Sequence, residues 1–232
     1  MKAILLAAGR GTRISDDIGG LPKSLLEIGG QPLIRHTVEL LERNNMEVTV
    51  ITGYKHKMIE AVLKEYRVKI YYNPFFEVTN SIGSLWCARE ELTGDEVFIA
   101  NADVYYTQEL LDIALNTEYD NCLLADETRA DFGDYFFLSE GGLLLKYGKG
   151  LKREERNCEY VGVGILRDSW VKRFRDRLCS LIEEGSCNLW WENVLYSFVG
   201  EEPVHTADVK GCFWSEVDTA EDYRRVLEHV KN

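Results

Sequence analysis

Residues 3–8 form an unbroken apolar run, Ala3-Ile4-Leu5-Leu6-Ala7-Ala8, which begins after Lys2 and ends in Gly9-Arg10-Gly11. A run without polar alternation suits a strand covered on both faces, so residues 2–8 are expected to lie inside a parallel sheet. Over residues 32–44, Leu33, Ile34, Val38, Leu40 and Leu41 recur at near-helical spacing with charges between them, and Asn44-Asn45 supplies a stop. Residues 48–52 read as a strand closed by Gly53, 57–66 as a helix and 68–72 as a further strand. The order βαβαβ predicts a doubly wound sheet.

Farther along, residues 84–92 have a helical pattern and 96–100 (Glu-Val-Phe-Ile-Ala) a buried-strand pattern that runs into Asn101-Ala102-Asp103. A polar tip on a buried strand is where α/β sheets place their chemistry. Between residues 122 and 166 the runs shorten (122–125, 134–138, 143–146) and alternate with Gly-Gly and charged turns, the mark of antiparallel strands. Helices are expected at 169–184, 189–196 and 220–230. No linker rich in Pro, Gly or Ser divides the chain and no repeat period is visible. The expected fold is α/β: a single-domain, Rossmann-like architecture over residues 1–232. Its mixed, mostly parallel central sheet is flanked by helices and carries a small antiparallel extension.

Composition narrows the partners. In 232 residues there are 27 Lys+Arg against 39 Asp+Glu, a net charge of -12, which repels a polyphosphate backbone and argues against nucleic acid. A small phosphorylated ligand is compatible with that field, because a few amides and one or two cations in a cleft can outweigh it locally. The six cysteines show no Cys-x-x-Cys and no zinc-like spacing, so reduced thiols are expected. The first apolar run is too short for a signal peptide, and no stretch approaches the ~20 apolar residues that span a bilayer. A cytoplasmic protein without a membrane partner is expected, and the sequence allows a homodimer.

The first candidate site is Leu6-Ala7-Ala8-Gly9-Arg10-Gly11-Thr12-Arg13, followed by Pro22-Lys23. Ala8, Gly9 and Gly11 lack bulk, so a nucleotide can approach the main chain and backbone N–H groups can point at phosphate oxygens. Arg13 and Lys23 supply cations for the charge that builds up when the α-phosphorus of a triphosphate is attacked. The spacing matches neither the Walker pattern nor a dinucleotide fingerprint. Taken alone, Gly9-Arg10-Gly11 is equally a strand-to-helix turn.

Two carboxylates follow apolar stretches: Asp103 after the 96–100 strand, and Asp218 in Phe213-Trp214-Ser215-Glu216-Val217-Asp218. Mg²⁺ prefers hard oxygen ligands and keeps several waters, so one or two carboxylates plus phosphate oxygens suffice to hold it. Either aspartate alone could instead be a turn or helix-cap residue.

The composite of strand, Ala-Ala-Gly, Gly-Thr-Arg and Pro-Lys resembles the signature of nucleotidyltransferases that join a nucleoside triphosphate to a phosphorylated metabolite. Over nearly the whole chain the sequence resembles the bacterial CTP:phosphocholine cytidylyltransferases. Further segments that carry the resemblance are Asn73-Pro74-Phe75-Phe76, Thr79-Asn80-Ser81-Ile82-Gly83-Ser84-Leu85-Trp86, Asn188-Leu189-Trp190-Trp191-Glu192-Asn193 and Glu216-Val217-Asp218-Thr219. The resemblance implies the GT-A-type form of the Rossmann-like fold, and a magnesium ion held by Asp103 and Asp218. Nucleotide contacts are implied at Leu6, Ala8, Gly9, Gly11, Thr12, Arg13, Lys23, Asn80, Ser81 and Ser84, with CTP as the triphosphate. Of these, Arg13 and Lys23 would be catalytic together with the two aspartates. Relatives carry Asp-Ala-Asp where this chain has Asn101-Ala102-Asp103, which removes one carboxylate and leaves Asn101 as a hydrogen-bonding neighbour. Glu216 is a candidate outer ligand.

An acceptor pocket is expected in the aromatic second half, at Tyr135, Glu159, Trp190, Trp191 and Glu192. A quaternary ammonium has no N–H to donate, so aromatic faces and a carboxylate are its natural partners. Adjacent tryptophans on a helix point about 100° apart, so one of the pair could instead be core. The expected reaction is transfer of CMP from CTP to phosphocholine or a similar phosphorylated amino alcohol or aminoalkyl phosphonate. Its rivals are a sugar-1-phosphate nucleotidyltransferase using UTP or dTTP, and a nucleotide-binding relative without turnover.

Overall fold

The protein is described by a computed structural model that covers residues 1–11 and 19–231. In chain order its first half contains β1 (Lys2–Ala7), β2 (Glu27–Ile28), β3 (Gln31–Pro32), α1 (Leu33–Arg43), β4 (Glu47–Thr52), α2 (His56–Leu63), β5 (Lys69–Tyr72), α3 (Ser81–Cys87), β6 (Glu96–Asn101), β7 (Val104–Tyr106) and α4 (Gln108–Asn116). The second half contains β8 (Asn121–Asp126), β9 (Phe136–Glu140), β10 (Leu143–Gly148), β11 (Cys158–Arg167), α5 (Ser169–Glu183), α6 (Asn193–Tyr196), β12 (His205–Asp208), β13 (Trp214–Glu216) and α7 (Ala220–Lys231).

The buried residues of β1 divide by parity. Ala3, Leu5 and Ala7 join one core with Ile34, Val38 and Leu41 of α1, Ile59 and Leu63 of α2, and Leu110 and Leu111 of α4. Ile4 and Leu6 join a second core with Ile82 and Leu85 of α3 and Val171, Phe174 and Leu178 of α5. Alternate side chains of a strand face opposite sides, so an apolar run without alternation supplies both layers at once. Each fully buried Leu or Ile contributes about 1.5–3 kcal/mol, and neither face of β1 can take a charge without losing a whole packed layer. A third, smaller core of Leu26, Ile28, Leu33, Tyr105, Val217 and Val226 seats α7 beside the β2–β3 hairpin.

The main sheet runs β5-β4-β1-β6-β11-β8-β12-β10-β9. Its first four strands are parallel, and β11 then enters antiparallel to both β6 and β8. The α/β class is as expected, but the remaining strands are five of the nine, more than a small appendage. β9 pairs with both β10 and the first residues of β11, so this half curls back on itself.

Local differences from the sequence expectation have tertiary causes. The helix expected at 84–92 starts earlier, because Asn80 caps α3 through Ser81 N–H, and it gives way to a 3₁₀ turn at Arg89–Glu91. There Glu91 turns inward and takes Lys2 at 3.2 Å, Lys69 at 3.0 Å and the Tyr71 hydroxyl at 2.9 Å. The helix expected at 189–196 is helical only over Asn193–Tyr196, because Trp191 N–H donates to Ser81 Oγ (2.9 Å) and Trp190 N–H to Asn193 Oδ1 (2.9 Å). Among the described residues no helix is long and apolar enough to cross a membrane.

Candidate active site

β1 and β6 end side by side, with Leu6 paired to Asn101, and the Ala102 N–H donates to the Leu6 carbonyl at 3.1 Å. Above these strand ends lies an open cleft of about 480 Å3. It is lined at one end by Leu6 to Gly11, Lys23 and Asp103, and at the other by Tyr135, Tyr160, Trp190 and Glu192.

Short β-ladders bring the two distant aspartates together. Antiparallel pairing sets Val104 opposite Glu216, and Val217 N–H donates to the Asp103 carbonyl at 2.9 Å. Thr219 and Asp222 then cap α7 reciprocally: Thr219 N–H donates to Asp222 Oδ2 (2.9 Å) and Asp222 N–H to Thr219 Oγ1 (3.2 Å). Because Thr219 takes the capping role, the Asp218 carboxylate is left to turn toward Lys23 and Asp103 rather than onto its own helix. Ligand oxygens of Asp103, Glu216 and Asp218 all lie within 4.8 Å of one another. Three converging carboxylates are a hard-oxygen donor set of the kind that suits a divalent cation such as Mg²⁺, and Glu216 joins the cluster on the same footing as the two aspartates.

Lys23 sits at the centre of this cluster, hydrogen-bonded to Asp218 and 3.2 Å from Asp103 Oδ2. It opens a 3₁₀ turn at Lys23–Leu25 right after Pro22, whose fixed backbone directs the side chain back to the strand ends. Gly11 makes room for it: at φ +61° a Cβ there would meet Lys23 Cγ at 2.7 Å. Arg10, also on the cleft wall, lies 5.5 Å from the centre of the Tyr54 ring and 3.7 Å from Glu77. Thr12 and Arg13 lie outside the described residues.

Asn80, Ser81 and Ser84 all line the cleft, but each also has structural work. Asn80 Oδ1 accepts from Ser81 N–H (2.8 Å), Ser81 Oγ from Trp191 N–H (2.9 Å), and Ser84 Oγ from Asn73 Nδ2 (3.0 Å). The hydroxyl oxygens retain further hydrogen-bonding capacity toward a ligand.

At the far end Tyr135 stacks on Tyr196 at 5.9 Å and meets Trp190 edge-on at 5.5 Å, with Tyr160 edge-on at 6.3 Å. Glu192 lies at the floor of this box, only 5% exposed, and accepts from Asn101 Nδ2 at 3.4 Å. Burial pushes its carboxyl up to about 7. The buried hydroxyl of Tyr160 lies against Glu192, and that of Tyr196 against Tyr135. A site with aromatic faces over a buried carboxylate is built to receive a polar or cationic group.

Two residues expected in the acceptor pocket lie elsewhere. Trp191 is 1% exposed and packs in the second core against Phe174, under Gly164; its indole N–H donates to Asn101 Oδ1 at 3.0 Å. Because Asn101 also donates to Glu192, Trp191 anchors the box from behind instead of lining it. Glu159 is buried beneath the 133–135 turn, 2.8 Å from Arg129, and accepts the Asp134 N–H at 3.2 Å. Its carboxyl is likewise raised to about 7, by burial first, with Arg129 opposing. It holds the turn that carries Tyr135 and does not reach the cleft. Conversely, Lys149, Tyr160 and Tyr196 line the cleft without having been singled out from the sequence. Each comes from a different, distant segment, and no local spacing connects them.

Above the parallel strand ends, glycine-rich backbone and the Lys23 cation lie beside converging carboxylates, an arrangement suited to a phosphorylated ligand. Residues 3–151 match the MobA-like NTP transferase domain family, and the chain belongs to that family of nucleotidyltransferases. It is 26% identical to the choline-phosphate cytidylyltransferase of Streptococcus pneumoniae, over 100% of this chain and 99% of the relative. A 2-aminoethylphosphonate cytidylyltransferase of Lancefieldella rimae is 25% identical over 94% of this chain and 88% of its own. Among solved structures, the CTP:phosphocholine cytidylyltransferase of S. pneumoniae superposes with a TM-score of 0.79 at 21% identity, covering 99% of this chain and 98% of that one. The shared fold is thereby established along the whole chain.

Proposed function

We propose that this nucleotidyltransferase is a magnesium-dependent cytidylyltransferase that transfers CMP from CTP to phosphocholine or a similar aminoalkyl phosphate or phosphonate, releasing pyrophosphate. The observation that carries the acceptor class is the box of Tyr135, Tyr160, Trp190 and Tyr196 over the buried Glu192, which shares one cleft with the phosphate-binding end. The likeness to cytidylyltransferases for choline phosphate and aminoethylphosphonate supports the same reading.

In this mechanism an acceptor phosphate oxygen attacks the α-phosphorus of CTP, a new P–O bond forms, and the bond to pyrophosphate breaks. The attacking oxygen is already ionised at neutral pH, so the chain needs no general base. Catalysis then rests on positioning and on neutralising charge. The glycine-rich turn Gly9 to Gly11 offers backbone N–H groups to the triphosphate, and Lys23 adds a cation that can follow charge onto the leaving group. Asp103, Asp218 and Glu216 would hold Mg²⁺, which when bound neutralises phosphate oxygens. The aromatic box binds the ammonium head, and Glu192 in ionised form balances its charge, so the acceptor phosphate is aimed toward the nucleotide.

The test is a neutral isostere. 3,3-Dimethylbutyl phosphate has the shape of phosphocholine without its charge, and it should be cytidylylated with a KM at least about tenfold higher, given the strength of charged contacts. Equal KM values would show that the box does not recognise a cation.

A further inference from the structure

We propose that Lys149 is a built-in competitor for the cation subsite: its own ammonium takes the place of the acceptor's head and is exchanged for it when the acceptor enters. This rests on the cationic-acceptor reading above and identifies the residue that sets how tightly the head is held.

The geometry is that of an internal stand-in. Lys149 Nζ lies 2.6 Å from Asp134 Oδ2 and 5.5 Å from the centre of the Trp190 ring, inside the ~6 Å reach of a cation–π contact. One aromatic face and one carboxylate are the partners a substrate ammonium would use, and Lys149, Asp134 and Trp190 all line the cleft. The two sides of this pair differ in how firmly they are held. Asp134 is tethered through its N–H to the buried Glu159, beside Tyr135 of the box. Lys149 stands between Gly148 (φ +143°) and Gly150, and the latter has nothing within 4 Å of a Cβ position, so this turn can rearrange without a clash. The Lys149 and Asp134 side chains are 44% and 52% exposed, and an ion pair that wet is weak and readily exchanged.

Exchange of one cation for another has a consequence for selectivity. An incoming ammonium restores the contacts with Asp134 and Trp190 that Lys149 gives up. A neutral sugar head cannot, so it would have to displace Lys149 with no compensating contact. Lys149 therefore costs every acceptor that displaces it the same contacts, and a cationic head regains them from Asp134 and Trp190 whereas a neutral one does not.

The test uses choline, which has the head and no phosphate, so that any contact of Lys149 with an acceptor phosphate drops out. Binding is measured by isothermal titration at fixed ionic strength for the wild type, Lys149→Gln and Lys149→Ala, with CTP titrated as a control. The expected result is a choline Kd about three- to tenfold lower in both variants and an unchanged CTP Kd, as befits the loss of an exposed ion pair and one exposed cation–π contact. A choline Kd that is unchanged or higher in the variants, with wild-type binding intact, overturns the role of Lys149 and leaves the cationic-acceptor reading standing. If CTP binds and choline binds to none of the three proteins, that reading itself fails and the proposal with it. Melting temperatures matching wild type exclude misfolding, which is not expected at so exposed a position.

Discussion

The substitution Glu192→Gln should stabilise the protein at alkaline pH while weakening its grip on a cationic acceptor. Glu192 is 5% exposed, and burial raises its carboxyl from the ordinary 4.5 to about 7. A raised carboxyl means that the folded state binds the proton more tightly than the unfolded chain does. The associated stability is fully present below about pH 4.5 and is lost as pH rises through about 7. At about 1.4 kcal/mol per tenfold change in proton affinity, keeping the carboxylate ionised above pH 7 costs roughly 3 kcal/mol. The amide that replaces it is neutral at every pH and can still accept from Asn101 Nδ2, so the variant should gain up to ~3 kcal/mol over wild type at pH 8.5 and about 1 kcal/mol or less at pH 5. For a chain of this length that is roughly 6–10 °C in Tm at the alkaline end. Thermal and urea unfolding across pH 5–8.5 reads the stability, and initial rates read the acceptor. The KM for phosphocholine should rise about 10–100-fold, because a charged contact is worth ~1.5–3 kcal/mol, while the KM for CTP stays put. A variant less stable than wild type at pH 8.5, or a stability difference flat with pH, would refute the buried-carboxylate reasoning. An unchanged phosphocholine KM would refute the role of Glu192 in binding.

Other predictions follow from the phosphate end. Asp103→Asn, which removes one carboxylate from the cluster with Glu216 and Asp218, should weaken Mn²⁺ binding by an order of magnitude or more. Turnover should fall at least ~100-fold with Tm nearly unchanged; paramagnetic relaxation titration and a pyrophosphate assay check both. Lys23→Ala should lower kcat/KM by about 10²–10³, the loss seen when one donor to developing charge is removed, and a value near wild type would return Lys23 to a purely structural role beside Asp103 and Asp218. Gly11→Ala places a Cβ 2.7 Å from Lys23 Cγ at positive φ, so it should cost ~1–2 kcal/mol in unfolding experiments and displace Lys23, with activity falling alongside.

The parts of this molecule that were legible in the sequence are those whose signal is local. The apolar run of β1 showed that it is covered twice, and the chain fills both cores from its odd and even residues. Asp103 and Asp218 stood out because each ends an apolar stretch, and the β7–β13 ladder is what makes them neighbours. That ladder was not legible: three-residue strands carry too little periodicity to be read. The acceptor end was legible only in composition. Trp190 and Trp191 are identical to a pattern reader, yet one is 39% exposed and the other 1%, because Ser81 claims the Trp191 N–H and the chain turns there instead of continuing a helix. Glu159 failed as a pocket residue for a similar reason: Arg129, far away in sequence and 2.8 Å away in space, draws it beneath the turn. Lys149 and Tyr160 meet in the cleft only through the curled half of the sheet, whose pairings span many residues, and Tyr196 joins them from α6.

The most direct test of the central claim is pyrophosphate release with Mg²⁺, crossing CTP, UTP, dTTP and ATP with phosphocholine, phosphoethanolamine, 2-aminoethylphosphonate and glucose 1-phosphate. Release with CTP and an amino-bearing acceptor, at least tenfold above every other pairing in kcat/KM, is the predicted result. Release with UTP or dTTP and glucose 1-phosphate, and none with CTP and the amino-bearing acceptors, would contradict it.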